Sequence, residues 1–238
     1  MIQGMNAALS GLRAYASNTR STANNLANVN TTGFKRSTPI NTSAQNGGGV
    51  RTGAIRTEQS QGAIYTTGRG LDVAIEGSGF FRVTTPGGAT GYTRAGSFSV
   101  DNQSQLVDAA GNRLSPEIRI PGQATNVAIE NDGSVTAMVN GTRETIGNIE
   151  TVKFNNPNGL ERGGGNVYYE TSASGQPVSG APGSGGLGEV RANALEMSNV
   201  DIGQEMVSLI QSETGFKAQV KTIQATDEML GSLMNIKA

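Results

Sequence analysis

The chain has 238 residues and a net charge of −1, so it has room for one large domain or two modest ones, and no global pull towards nucleic acid or an anionic membrane. Cysteine, histidine and tryptophan are absent. That removes thiol nucleophiles, disulfides, Cys/His metal sites and the commonest acid–base catalyst, and no catalytic, cofactor or metal site is expected.

Residues 1–36 open with "MIQGMNAALSGLRAYA", which lacks the basic start and continuous apolar run of a secretory signal. Instead Ile2, Met5, Leu9, Leu12, Ala16, Thr19, Ala23 and Leu26 alternate steps of three and four, the spacing of a coiled-coil seam. The seam is thin in its middle, and Gly4 and Gly11 weaken the helix by about 1 kcal/mol each relative to Ala, so the helix needs a partner. It ends in "ANNLANVNTTGFKR", which crowds Asn24, Asn25, Asn28 and Asn30 around Leu26. Asn28 and Gly33 supply stop chemistry. Asn24 and Asn25 are expected either to cap the helix or to set register against a neighbour. Gly33, Phe34 and Lys35 then start a connector over 37–69, rich in Gly, Ser and Thr.

Residues 70–194 change period. "LDVAIE", "GFFRVTT", "SFSV", "QLVD", "EIRIP", "NVAIE", "SVTAMVNG", "ETIGNIETVKF" and "NVYYE" are short and rich in β-branched or aromatic residues. Turn dipeptides separate many of them, at Gly111-Asn112, Asp132-Gly133, Asn140-Gly141 and Asn158-Gly159. This predicts an antiparallel β-domain that trails into a Gly/Ser-rich connector over 171–194. The Gly-rich pieces near 68, 77 and 163 lack the spacing of a phosphate loop, and "ENDGSV" lacks a calcium loop's ligands, so turns account for them.

Residues 195–238 return to the three–four spacing, with Ile202, Met206, Leu209, Phe216, Val220, Ile223, Leu230 and Met234 on the stripe. Val207, Ile210 and Met229 widen it, which suggests burial against more than one neighbour. The fold class is therefore α+β: long N- and C-terminal coiled-coil helices flank an inserted antiparallel β-domain. No acidic residue precedes Glu58, whereas the C-terminal segment carries Glu205, Glu213, Asp227 and Glu228 against Lys217, Lys221 and Lys237, so charge leaves two readings open: the helices are mates, or these are solvated faces of unrelated core helices. No run reaches the roughly 20 apolar residues of a membrane span, and no membrane insertion is expected.

"NNLANVNTTGFKR" resembles the N-terminal signature of the bacterial flagellar axial proteins, the rod and hook family. "EMSNVDIGQEMVSLI" and "IQATDEMLGSLMNIK" resemble that family's other end, and "LDVAIEGSGFFRV" and "YTRAGSFSVDNQSQLVDAAGNRL" resemble its rod-type β-domain. The segment after "GFKR" is shorter than in the usual distal rod sequence, which leaves a proximal rod or short hook protein as the alternative. The resemblance implies a structural subunit, not an enzyme. It implies a homo-oligomeric helical tube with terminal helices inside and β-domain outside, which transmits torque from motor to hook and forms part of the export channel. Implied partners are neighbouring rod and hook proteins, the flagellar type III export apparatus and surrounding ring proteins; the implied place is the basal body. A remote alternative from another class is a trimeric adhesive or carbohydrate-binding β-protein, which aromatic content of only 5% and the lack of tryptophan disfavour.

Overall fold

The computed structural model describes residues 2–45 and 48–236, with side chains described from 3 to 232. The chain divides into two compact units that interleave along the sequence. The first takes residues 1–29, 35–58 and 200–238; the second takes 30–34 and 59–199.

In the first unit, α1 (Ile2–Ala27) and α2 (Ile202–Ile236) are long helices, and β1 (Ser37–Ser43) pairs antiparallel with β2 (Val50–Thr57). α1 stops six residues before Gly33, where Asn28 Nδ2 donates back to the Asn24 carbonyl at 2.9 Å. α2 starts at 202 rather than 195. Asp201 caps it, its Oδ1 accepting from Gln204 N at 3.0 Å. The expected connector over 37–69 is a correction: its first half is the β1–β2 hairpin. Most of that hairpin is exposed, so its strands carry no alternating apolar pattern to read.

The second unit holds β3 (Ile64–Thr66), β4 (Val73–Glu76), β5 (Phe80–Thr84), β6 (Thr90–Thr93), β7 (Ser99–Val100), β8 (Leu106–Val107), β9 (Arg113–Ser115), β10 (Thr125–Ile129), β11 (Ser134–Val139), β12 (Thr142–Asn148) and β13 (Thr151–Lys153). β14 (Glu161–Arg162), β15 (Val167–Tyr169), β16 (Val178–Gly180), β17 (Glu189–Ala192) and β18 (Ala194–Glu196) follow. The main sheet runs β14-β15-β6-β5-β9-β8-β7, with β13 bridging β5 and β16. Side chains alternate across β5: Phe81 enters a cluster with Val73, Ile75, Phe98, Leu106 and Leu114, and Phe80 enters one with Tyr92, Val152, Phe154, Leu160 and Tyr168. The Asn140-Gly141 turn between β11 and β12 has φ of 51° and 84°, the positive pair a two-residue hairpin needs. Asn158-Gly159 instead forms a short 3-10 turn. "EIRIP" forms only an isolated bridge, Arg119 with Gln105. The trailing connector contains strands: β17 pairs with β4, and β18 with β3.

Residues 30–34 do not begin a loose connector but are seated in this β-unit. Gly33 has φ of +66°, and a Cβ there would lie 2.5 Å from the Ala95 nitrogen. Gly33 N donates to the Glu196 carbonyl at 2.8 Å, and Asn166 Nδ2 donates to the Thr32 carbonyl at 3.1 Å. Phe34 is fully buried, and the Arg162 guanidinium stands 4.4 Å from its ring centroid. Lys35, the next residue, is also fully buried. Beside this seat, Arg94 and Glu196 form a buried ion pair at 3.2 Å. Arg94 also donates to the carbonyls of Ile75 and Gly77, and Glu196 Oε1 accepts from Gly62 N. Burial lowers the Arg94 pKa from its ordinary value, and Glu196 opposes that shift.

Candidate assembly surface

α1 and α2 lie antiparallel within the first unit. Gly11 faces Gln219, Tyr15 faces Gly215, and Asn25 Nδ2 donates to Glu205 Oε1 at 3.2 Å. A Cβ on Gly215 would fall 2.3 Å from the Tyr15 ring, so the missing side chain is what lets the helices approach. The residues that meet are not the apolar seam. On α1 they are Gly11, Tyr15 and Asn25, with Ala8, Ala14 and Thr22 buried on the same helix; on α2 they are Glu205, Gly215 and Gln219, with Ser212 and Thr226 buried and Ser208 half-buried. The α2 set keeps the same three–four spacing, displaced from the apolar stripe by about 100° around the helix. α2 thus carries two heptads, a small polar one that holds its fully buried positions and an apolar one that stays half-buried or exposed.

Burial of the seam residues follows from this. Leu9 on α1 and Ile202, Met206 and Phe216 on α2 are exposed at 43%, 49%, 53% and 41%, as are Val207, Ile210 and Met229. Met5, Leu12, Leu26, Asn28, Leu209, Val220, Ile223 and Leu230 are half-buried, and Asn24 is exposed. The side chains of Ile2 and Met234 lie outside the described residues. The charges do not join the helices: Arg13 and Arg20 are exposed, and none of the described ion pairs links α1 to α2.

Asn25 bonds a neighbouring helix and a neighbouring strand of its own chain rather than capping α1. It is 1% exposed and ties three elements of its own unit. Its Nδ2 donates to the Ser37 carbonyl at 2.9 Å as well as to Glu205, and its Oδ1 accepts from Ser37 N at 3.0 Å. Ser21 Oγ donates to the same Ser37 carbonyl at 2.7 Å. Arg36 Nε reaches Glu205 Oε1 at 2.5 Å, and this hydrogen bond holds the Arg36 pKa above its ordinary value. Glu205 is 1% exposed, so its charge is compensated by Arg36 and the Asn25 amide together. Arg36 and Glu205 were not foreseen as a pair. The usable signal was an acid at a position where the apolar stripe of α2 is absent.

Family descriptions match three separate stretches: "Flagella basal body rod protein" over residues 5–35, "Flagellar hook protein FlgE/F/G D1 domain" over 74–137, and "Flagellar basal body rod FlgEFG protein C-terminal" over 191–236. Over its whole length the chain is 37% identical to the flagellar basal-body rod protein FlgG of Borreliella burgdorferi, covering 99% of that protein. The chain belongs to the flagellar basal-body rod protein family. It is 36% identical to FlgG of Bacillus subtilis and 34% identical to FlgG of Caulobacter vibrioides, with 100% of each chain covered in both cases. The hook protein FlgE of Borreliella burgdorferi is 38% identical over 117 residues, covering 49% of this chain and 26% of the hook protein. The Borreliella rod alignment runs to 263 positions against the chain's 238 residues, so that relative has segments this chain lacks. Family membership makes the chain a structural protein of the flagellar basal-body rod, and the matched rod segments at both termini take in most of α1 and all of α2.

Proposed function

We propose that this rod subunit assembles by burying the uncovered apolar heptad of α1 and α2 against neighbouring copies, as coiled coils in the wall of a helical tube. One observation carries this: large side chains at Leu9, Ile202, Met206, Val207, Ile210 and Phe216 stay exposed while the fully buried positions of both helices hold small or polar groups. An apolar stripe of that length on a soluble surface marks an interaction site. Ile202, Met206 and Phe216 lie towards one side of α2, and Val207 and Ile210 lie further round, which suits two neighbours rather than one. The tube so formed passes torque along its length and encloses the export path. Rod and hook relatives bound it at its ends, and subunits reach it through the type III export apparatus, where a chain without cysteine carries no cross-link into transit.

The α1–α2 contact buries few large apolar groups, so the helix pair is marginal alone and completes its folding as neighbours dock. Circular dichroism of dilute monomer tests this. Helicity below that of the assembled form is expected, and fully helical, exchange-protected termini in the monomer would overturn it. The assembly surface itself is tested with Met206→Asp/Ile210→Asp. These exposed substitutions leave the β-unit's unfolding within about 0.5 kcal/mol but abolish rods in electron micrographs of purified basal bodies. Normal rods from this variant would refute the reading.

A further inference from the structure

The chain contains no cysteine, so its sulfur chemistry falls to seven methionines. A thioether reacts with peroxides to give the sulfoxide, and it reacts where its sulfur is exposed. Exposure separates these residues. Met206 and Met229 on α2 are exposed at 53% and 52%, whereas Met5 on α1 and Met138 and Met197 in the β-unit are half-buried. The side chains of Met1 and Met234 lie outside the described residues.

The two exposed methionines have different surroundings. Residues four apart are neighbours on a helix surface, which puts Ile202 one turn before Met206 and Ile210 one turn after it. Those two are exposed at 49% and 60%, and Val207 beside them is exposed as well. Met206 is thus the middle of an apolar strip that runs along the start of α2. Met229 lies about 140° round the helix from it at the standard turn, and it follows the exposed acids Asp227 and Glu228. A sulfoxide exchanges a flexible apolar group for a polar one whose oxygen needs a hydrogen-bond donor. At Met206 that oxygen would stand in the centre of the strip, where an apolar partner surface offers no donor and its burial is costly.

We propose that Met206 is a redox-sensitive modification site, and that its oxidation by a peroxide before assembly closes the α2 seam to neighbouring copies. This rests on the assembly reading above and adds control of the same surface. In the reaction the Met206 sulfur attacks one peroxide oxygen. The S–O bond forms as the O–O bond breaks, the sulfur gives up two electrons, and the departing hydroxide takes the proton and leaves as water. Docked neighbours shield the sulfur, so the free subunit is the form that reacts. Methionine sulfoxide reductases reverse the step, so the block is a switch and not only a lesion.

The test treats the purified full chain with hydrogen peroxide, locates sulfoxide at each methionine by peptide mass spectrometry, and follows self-association by sedimentation. Met206 and Met229 oxidise before Met138 and Met197, and the oxidised wild type needs a roughly tenfold higher concentration to associate. Met206→Leu, close in volume, associates like wild type and stays within about twofold of it after peroxide. Met229→Leu gives no such protection. Sulfoxide reductase restores association of the oxidised wild type, which excludes other peroxide damage as the cause. Unchanged association by a chain carrying Met206 sulfoxide overturns the proposal. So does a loss in Met206→Leu equal to that of wild type, or a failure to recover once Met206 is reduced again. Met206→Asp/Ile210→Asp is run alongside. If that variant associates like wild type, the seam reading fails and takes this proposal with it; if it does not associate while the oxidised wild type does, the seam reading stands and only the switch is lost.

Discussion

Removing the charge of Glu196 while keeping its shape should unlock the seat of residues 30–34. Glu196 is 1% exposed, and its carboxylate is held by Arg94 Nη1 at 3.2 Å and Gly62 N at 2.9 Å. In Glu196→Gln the amide oxygen still accepts from Gly62, but Arg94 becomes a buried cation that keeps only the carbonyls of Ile75 at 3.3 Å and Gly77 at 2.8 Å. Breaking one side of a buried pair costs about 3–5 kcal/mol, and the retained carbonyls place this variant near 3 kcal/mol. Arg94→Met leaves the carboxylate buried, loses both carbonyl bonds and gives up the stacking over Phe80 at 5.3 Å, so it belongs at the upper end of that range. The double variant should cost less than the sum of the singles by about 2 kcal/mol, because the second substitution removes the orphan that the first created. Urea unfolding reads this directly. Four of the five tyrosines lie in the β-unit and there is no tryptophan, so tyrosine fluorescence reports that unit. With a slope of roughly 2 kcal/mol/M, Glu196→Gln lowers the midpoint by about 1.5 M. A shift under about 0.5 M, or a double variant equal to the sum of the singles, refutes the view that this pair clamps the seat.

Asn25→Ala strands the Ser37 amide and removes two donated bonds, one to a carboxylate, so the first unit should lose about 3 kcal/mol in urea unfolding at 222 nm, while exposed Asn24→Ala stays within about 0.5 kcal/mol. Gly33→Ala forces a side chain into left-handed backbone and against the Ala95 nitrogen, and a loss of roughly 2–4 kcal/mol in the β-unit is expected by the same assay. Burial pushes the Tyr168 hydroxyl up to about 12 from 10. The unfolded chain then releases this proton first as pH rises, so stability is unaffected below pH 10 and falls by about 1.4 kcal/mol per pH step to a loss of about 2.7 kcal/mol near pH 12. Tyr168→Phe removes that part of the alkaline loss, and because no described hydrogen bond uses the hydroxyl it should not destabilise at pH 7. Urea midpoints at pH 9 and 11.5 for both forms check the pair.

How legible all this was from the residues depends on what each element buries. The helices and most β-unit strands announced themselves, because apolar spacing follows from one buried face. The polar heptad of α2 did not, since Ser208, Ser212 and Thr226 look like ordinary solvent-facing positions until a glycine opposite a tyrosine shows that backbones meet there. The β1–β2 hairpin was hidden for the opposite reason: "STPINTS" and "VRTGAIRT" bury so little that no period is written into them. Gly33 was expected in a turn, and its positive φ agrees, but the turn serves Ala95 and Glu196 of the β-unit rather than the end of α1.

The seating of Thr32, Gly33 and Phe34 also governs how this molecule can be cut. A fragment trimmed at residue 36 to free the β-unit of its N-terminal helix would discard the Phe34 ring that Arg162 covers, and leave a hole lined by Arg94 and Ala95. The same five residues cannot be kept by starting at 59, because the polypeptide leaves the β-unit after Phe34 and returns only at Gln59. A faithful isolated β-unit would have to graft residues 30–34 onto residue 59 through a short new linker. Proteases should likewise find no single cut that parts the two units, since the chain passes between them four times.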